Sequence, residues 1–152
     1  MYFRMKFSVI ASFALLIPVI FSCRCPILPS KEAFCRADWV SHARILSKMF
    51  LPIEGMNDVR YTLRHIKIYK NVNETCPLFN HVLTSSESSA CGLVLETKKE
   101  YLLSGSYYDG EYHTSSCFQV VTDDPADSFS GNLMEWKHVT PGFEMRLNSF
   151  EC

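Results

Sequence analysis

None of the short motifs that mark hydrolytic or nucleotide chemistry occurs in this chain. A zinc-protease helix motif, a nucleophile elbow and a phosphate loop are all absent. The five histidines, His42, His65, His81, His113 and His138, show no i, i+4 pairing that would set two ring nitrogens on one helix face. An enzyme is therefore not expected, and neither is a cofactor. Surplus positive charge is missing as well: 15 Lys+Arg stand against 16 Asp+Glu, and no basic run is interleaved with aromatics, so no nucleic-acid partner is expected. The acidic group Asp123, Asp124 and Asp127 lacks the regular spacing of a calcium loop and reads as a solvated turn. No repeat, low-complexity tract or linker divides the 152 residues, which points to one domain. The longest apolar run, Phe7 to Phe21, falls short of the roughly 20 residues that a membrane span needs.

That run has the makings of a secretory signal instead. Arg4 and Lys6 supply a positive leading segment, and Ser22 supplies a small residue before a cut. The expected layout is a signal over residues 1–22 and a mature domain over 23–152, secreted to the extracellular space and free of membrane once the signal is removed. Without Arg4 and Lys6 the mature chain keeps 13 basic against 16 acidic side chains. All seven cysteines, Cys23, Cys25, Cys35, Cys76, Cys91, Cys117 and Cys152, lie in that mature part, where an oxidising compartment favours disulfides. An odd number leaves one over, and spacing alone does not say which. Cleavage after Ser22 would also make Cys23 the first residue. A disulfide-bonded N-terminal cysteine holds a free α-amino nitrogen and its own carbonyl oxygen close together on a rigid backbone, a pair able to chelate a metal. With the leader attached, that nitrogen is an amide and has no lone pair to give.

Along the mature chain, Ser30 is a candidate N-cap for a short helix through Lys31, Glu32, Ala33 and Phe34, with Phe34 turned inward. Ala37 to Leu46 reads as a first strand and Leu51 to Val59 as a loop. Tyr61 to Tyr69 is the clearest strand. Its apolar side changes parity near His65, from Tyr61 and Leu63 to Ile66 and Ile68, which predicts a bulge or burial on both faces in turn, as in a small closed barrel. Asn73-Glu74-Thr75 is an N-glycosylation acceptor, and glycosylation at Asn73 is expected. Cys91 to Glu96, Tyr101 to Ser104 and a segment around His113 to Val121 read as further strands, with Asp109-Gly110 as a hairpin turn. Phe129, Leu133 and Trp136 are spaced as on a helix, despite Gly131 between them. The composition, 47% apolar and 20% charged, is that of a folded domain, here mainly β with helices at its two ends.

Five blocks, in order, resemble the N-terminal, netrin-like domain of the tissue inhibitors of metalloproteinases. Cys23-x-Cys25-x9-Cys35 opens the resemblance, and Ala33-Phe34-Cys35-Arg-Ala-Asp-Trp-Val-Ser-His-Ala-Arg follows the family's Ala-Phe-Cys-Asn-x-Asp-x-Val-x-Arg-Ala-Lys. Tyr61 through Lys70, Ser88-Ser89-Ala90-Cys91-Gly92 and Lys99-Glu100-Tyr101-Leu102-Leu103-Ser104-Gly105 complete it. The resemblance covers most of residues 23–122. It implies a disulfide-stapled, five-stranded closed barrel of the OB type with short flanking helices. It also implies the pairings Cys23–Cys91, Cys25–Cys117 and Cys35–Cys152, which leave Cys76 unpaired.

The activity it implies is inhibition of a zinc metalloendopeptidase by a monomer. Cys23 would chelate the enzyme's catalytic zinc through its amino and carbonyl groups, so the zinc belongs to the target and the chain needs none of its own. Residue 24 would enter the specificity pocket, with Cys25, Pro26, Ile27, Ser88, Ser89 and Ala90 filling flanking subsites. Here residue 24 is Arg, where the family usually carries Thr or Ser, and a guanidinium in an apolar pocket costs several kcal/mol unless a carboxylate meets it. The prolines, Pro26 and Pro29, are one place off the family's positions, and the family's second six-cysteine domain has no counterpart up to Cys152. Arg24 is also compatible with a second reading, a non-inhibitory secreted netrin-like module that binds another extracellular protein or the matrix.

Overall fold

A computed structural model of the chain describes residues 23–52, 57–72 and 77–152. The expected signal (1–22), the glycosylation acceptor Asn73 and the odd cysteine Cys76 lie outside the described residues. Five strands form the barrel: β1 (Trp39–Phe50), β2 (Val59–Asn71), β3 (His81–Thr84), β4 (Glu100–Tyr108) and β5 (Glu111–His113). Neighbours follow the order β1-β2-β3-β5-β4, and β4 pairs back onto β1 from Trp39↔Gly105 to Arg44↔Glu100, which closes the ring. This is the five-stranded OB order, with β3 and β5 meeting in parallel at Leu83↔His113. Among the described residues no helix is long and apolar enough to cross a membrane.

Alternation along β1 and β4 builds two cores, because successive side chains of a strand point to opposite faces. Trp39, Ala43, Tyr101 and Leu103 fill the barrel together with Tyr61, Leu63 and Leu95. Val40 and Leu102 face the other way and meet Phe34 of α1 (Ser30–Arg36) and Phe143 and Leu147 of α2 (Pro141–Ser149). Burying each of the large side chains contributes about 1.5–3 kcal/mol, so the helices are integral to the fold. The Cys35–Cys152 disulfide ties α1 to the end of the chain beyond α2.

Several expectations need correction. α1 has Pro29, not Ser30, at its N-cap position, and no side-chain cap there; Ser30 is its first residue, 4% exposed. β1 runs from Trp39 to Phe50, later at both ends than the Ala37 to Leu46 read from sequence. Irregularities in the β1–β2 register at Val40/Ser41, His42/Ala43 and Ile45/Ser47 provide the anticipated bulging. The second apolar side is not buried, however: Ile66 and Ile68 remain 45% and 48% exposed, while Lys67 and Tyr69 turn to Glu144 of α2. β3 escaped the sequence reading altogether.

Cys91 to Glu96 is no ladder strand. Side-chain hydroxyls take the place of a neighbouring strand: the Leu93 amide donates to Thr84 Oγ1, the Leu95 amide to the Tyr61 hydroxyl and the Glu96 amide to the Tyr101 hydroxyl. The strand expected around His113 to Val121 ends at His113, and a 3-10 turn follows at Ser116–Phe118. Nor do Phe129, Leu133 and Trp136 lie on a helix. Met134–Glu135 (β6) pairs with β4 at Leu102↔Met134 and Tyr101↔Glu135, and Trp136–His138 is a 3-10 turn. The helix starts later, where Thr140 accepts from the Phe143 amide and Pro141 occupies the first turn. The Asp109-Gly110 turn joins β4 to β5, with φ of 53° and 78° at the two positions, the mirror-image geometry that a two-residue hairpin favours.

Candidate inhibitory ridge

The described residues begin at Cys23. Cys23 is bonded to Cys91 with their Cα atoms 5.1 Å apart, and Cys25 to Cys117 at 4.9 Å. All four sulfurs lie within 4.8 Å of one another. Held in disulfides, they are not thiolate ligands, so the cluster acts as a double staple. Ser116 sits between them. Its hydroxyl is 3.5 Å from the Cys23 sulfur and donates to the Cys91 carbonyl at 3.2 Å, and its own amide donates to the same carbonyl at 2.9 Å.

The partner segment is shaped by local backbone chemistry. Ser88–Ala90 forms a 3-10 turn, closed by the Cys91 amide on the Ser88 carbonyl, with Cys91 in the left-handed region at φ 60°. The Gly92 amide returns to the Glu87 carbonyl. A Cβ at Gly92 would fall 2.0 Å from the Ser85 carbonyl oxygen, so only glycine fits this crossing. Below the turn, Asp58 accepts from the Ser86 amide at 2.7 Å and from its hydroxyl at 2.6 Å. Those bonds hold the Asp58 carboxyl below its ordinary pKa.

What results is one edge made of two exposed segments joined by the Cys23–Cys91 bond. Arg24, Pro26 and Ile27 are exposed on one side, Ile27 completely (101%), and Ser88 and Ser89 on the other, with Ala90 half-buried. Arg24 engages no other group among the described residues. A groove of about 490 Å³ beside the junction is lined by Cys23, Ser88, Val94, Ser116 and Asn132. Of the residues read from sequence as contacts, Cys23, Cys25 and Ser88 line this groove together and Pro26 and Ile27 line a neighbouring hollow with Cys25, while Cys35–Cys152 lies apart at the helices. Sequence reasoning missed Ser116, Val94 (70% exposed) and Asn132. Ser116 stands next to a cysteine and could have drawn notice; for Val94 and Asn132 no sequence signal existed.

Comparison with known proteins agrees with this architecture. Residues 21–124 match the family model described as tissue inhibitor of metalloproteinase. The chain is 34% identical over 147 residues to the putative metalloproteinase inhibitor tag-225 of Caenorhabditis elegans, covering 91% of this chain and 93% of that protein. It is 31% identical over 96 residues to metalloproteinase inhibitor 3 of Xenopus laevis, covering 62% of this chain and 44% of that protein. Metalloproteinase inhibitor 2 of Gallus gallus is 31% identical over 138 residues, 84% of this chain and 54% of that protein, so the chain spans about half the length of these vertebrate relatives. The chain belongs to the tissue inhibitor of metalloproteinase family, a family of inhibitors rather than enzymes.

Proposed function

We propose that this protein is secreted with Cys23 as its mature N-terminus and inhibits zinc metalloendopeptidases by occupying the metal. The α-amino nitrogen and carbonyl oxygen of Cys23 take the open positions on the target's zinc and displace the water that the metal would activate. Arg24 points into the specificity pocket, and Cys25, Pro26, Ile27, Ser88, Ser89 and Ala90 flank it. One observation carries the reading: the Cys23–Cys91 bond joins two exposed segments into a single rigid edge, so little conformational freedom is lost on docking.

A titration of mature protein against a panel of zinc endopeptidases tests it, with slow or absent cleavage of the inhibitor and stoichiometric loss of enzyme activity as the expected result. The pH dependence adds a second test. An unperturbed α-amino group titrates near ~7.7–8.0, and only its neutral form binds zinc, so affinity falls up to about tenfold per pH unit below that range. Flat affinity from pH 8 to 6, after correction for the enzyme's own titration, excludes the amine as ligand. The second reading, a module that binds an extracellular partner without meeting a protease, is favoured by Arg24 at the tip of the edge; it predicts no inhibition of any enzyme in the panel.

A further inference from the structure

The exposed segment from Cys25 to Pro29 bridges a hollow. About 180 Å³ of space lies under it, lined by Pro26, Leu28, Ala33, Gln119 and Val121 among others. With so little packed beneath it, its path is set by its two ends. One end is the double disulfide. At the other, Asp123 takes both donors of Ser30: the backbone amide at 3.0 Å and the hydroxyl at 2.9 Å. Pro29 offers no side-chain cap to α1, so a carboxylate 93 residues away in sequence does the capping.

Asp123 is itself fixed from behind. Arg146 of α2 approaches it at 3.9 Å and also reaches Asp124 at 3.5 Å, Asp127 at 3.4 Å and the Thr122 hydroxyl at 3.0 Å. Asp127 accepts from Thr122 and, at 2.9 Å, from Thr140, the residue that caps α2. The Ser30 amide first, then its hydroxyl and the Arg146 guanidinium, hold the Asp123 carboxyl below its ordinary pKa, so it is ionised at neutral pH. The acidic turn is solvated, as read from sequence, with the Asp123 and Asp124 side chains 43% and 42% exposed, and it also forms a clasp between the first and last helices.

We infer that Asp123 is a positioning residue for inhibition: by capping Ser30 it anchors the far end of the Cys25–Pro29 span and sets the angle at which Ile27 is presented, while the two disulfides hold Arg24. This rests on the proposed function above. Removing the anchor leaves the far end held only through α1, by the Ala33 amide on the Pro29 carbonyl and by Phe34 and the Cys35–Cys152 disulfide behind it, so the span over the hollow gains freedom, and ordering it again on docking weakens binding on the order of tenfold.

The test compares wild type with Asp123→Ala and Asp123→Asn on the full mature chain. Three readouts are taken: exchange of the Ser30 amide, NMR order of the Ile27 methyl groups, and the inhibition constant against the endopeptidase that wild type inhibits best. Asp123→Ala is expected to speed Ser30 exchange and mobilise Ile27 while the Val40, Leu102 and Leu103 amides keep their protection, and to weaken inhibition about tenfold. Asp123→Asn, which keeps an acceptor for the amide, recovers part of each. If Asp123→Ala also loosens the barrel, Ser30→Ala decides, since it deletes only one donor. An unchanged Ile27 in folded Asp123→Ala overturns the inference, as does a mobilised Ile27 with undiminished inhibition. Should wild type inhibit nothing, the proposed function falls, and the Ile27 measurement still decides whether Asp123 anchors the span.

Discussion

Arg24 is where a single side chain carries the most consequence. Its guanidinium is solvated at the tip of the edge, and burying it in an apolar pocket without a carboxylate costs several kcal/mol. Replacing Arg24 by Thr is therefore expected to improve inhibition of enzymes with apolar pockets and to weaken inhibition of those with an acidic group there. Equal inhibition of both classes by both versions, in parallel titrations, excludes this side chain from the pocket. His113 is the counterpart inside the molecule. It is 7% exposed and stacked on Tyr108 at 3.7 Å, with both ring nitrogens buried. Burial pushes its pKa below the usual 6.5. A depressed pKa in the folded state means that its stability contribution is complete above about 6.5 and is lost as pH falls through the lower folded value. Urea midpoints measured from pH 7.5 to 4.5 should decline, and His113→Phe should flatten that decline; an identical slope in the variant contradicts the assignment.

Among the elements, the segment after Cys91 shows what sequence can and cannot convey. It reads from sequence as a strand, and its burial does alternate as a strand's would, with Leu93 and Leu95 inward and Val94 outward. The hydrogen bonds were not legible, because they go to Thr84, Tyr61 and Tyr101, residues brought near only by closure of the barrel. Tyr61 is the central rung: its hydroxyl accepts from the Leu95 amide at 3.1 Å and faces the Leu93 carbonyl at 3.4 Å. Tyr61→Phe leaves those groups buried without it and should cost about 1–3 kcal/mol in a denaturant titration with unchanged m-value. A cost near zero means that water replaces the hydroxyl. The misplaced C-terminal helix has a similar cause. Phe129 and Trp136 pack on the core under the helices and Leu133 on the barrel core, and they reach them from irregular backbone steered by the Met134 pairing with β4. The sequence does carry a helix start at Thr140-Pro141, a side-chain cap followed by proline in the first turn.

At the scale of the molecule, the cysteines organise both fold and edge. The barrel could be anticipated from the short strands, the parity change in β2 and the five resembling blocks; the clasp around Asp123 could not, since its members lie between residues 30 and 146. Seven cysteines with six of them bridged leave Cys76, and peptide mapping under non-reducing conditions is expected to recover Cys23–Cys91, Cys25–Cys117 and Cys35–Cys152 with Cys76 in none of them. A Cys76 bridge to Cys91 or Cys117 would dissolve the edge as described.

The central claim is that the free amine of Cys23 is a metal ligand, and one added residue tests it most directly. Mature protein starting at Cys23 and a version with a single alanine ahead of Cys23 are compared for inhibition of the same zinc endopeptidase, with amide exchange confirming that both barrels are folded. The account predicts that the alanine converts the amine to an amide and abolishes inhibition while the fold is retained. Undiminished inhibition by the extended, folded version contradicts it.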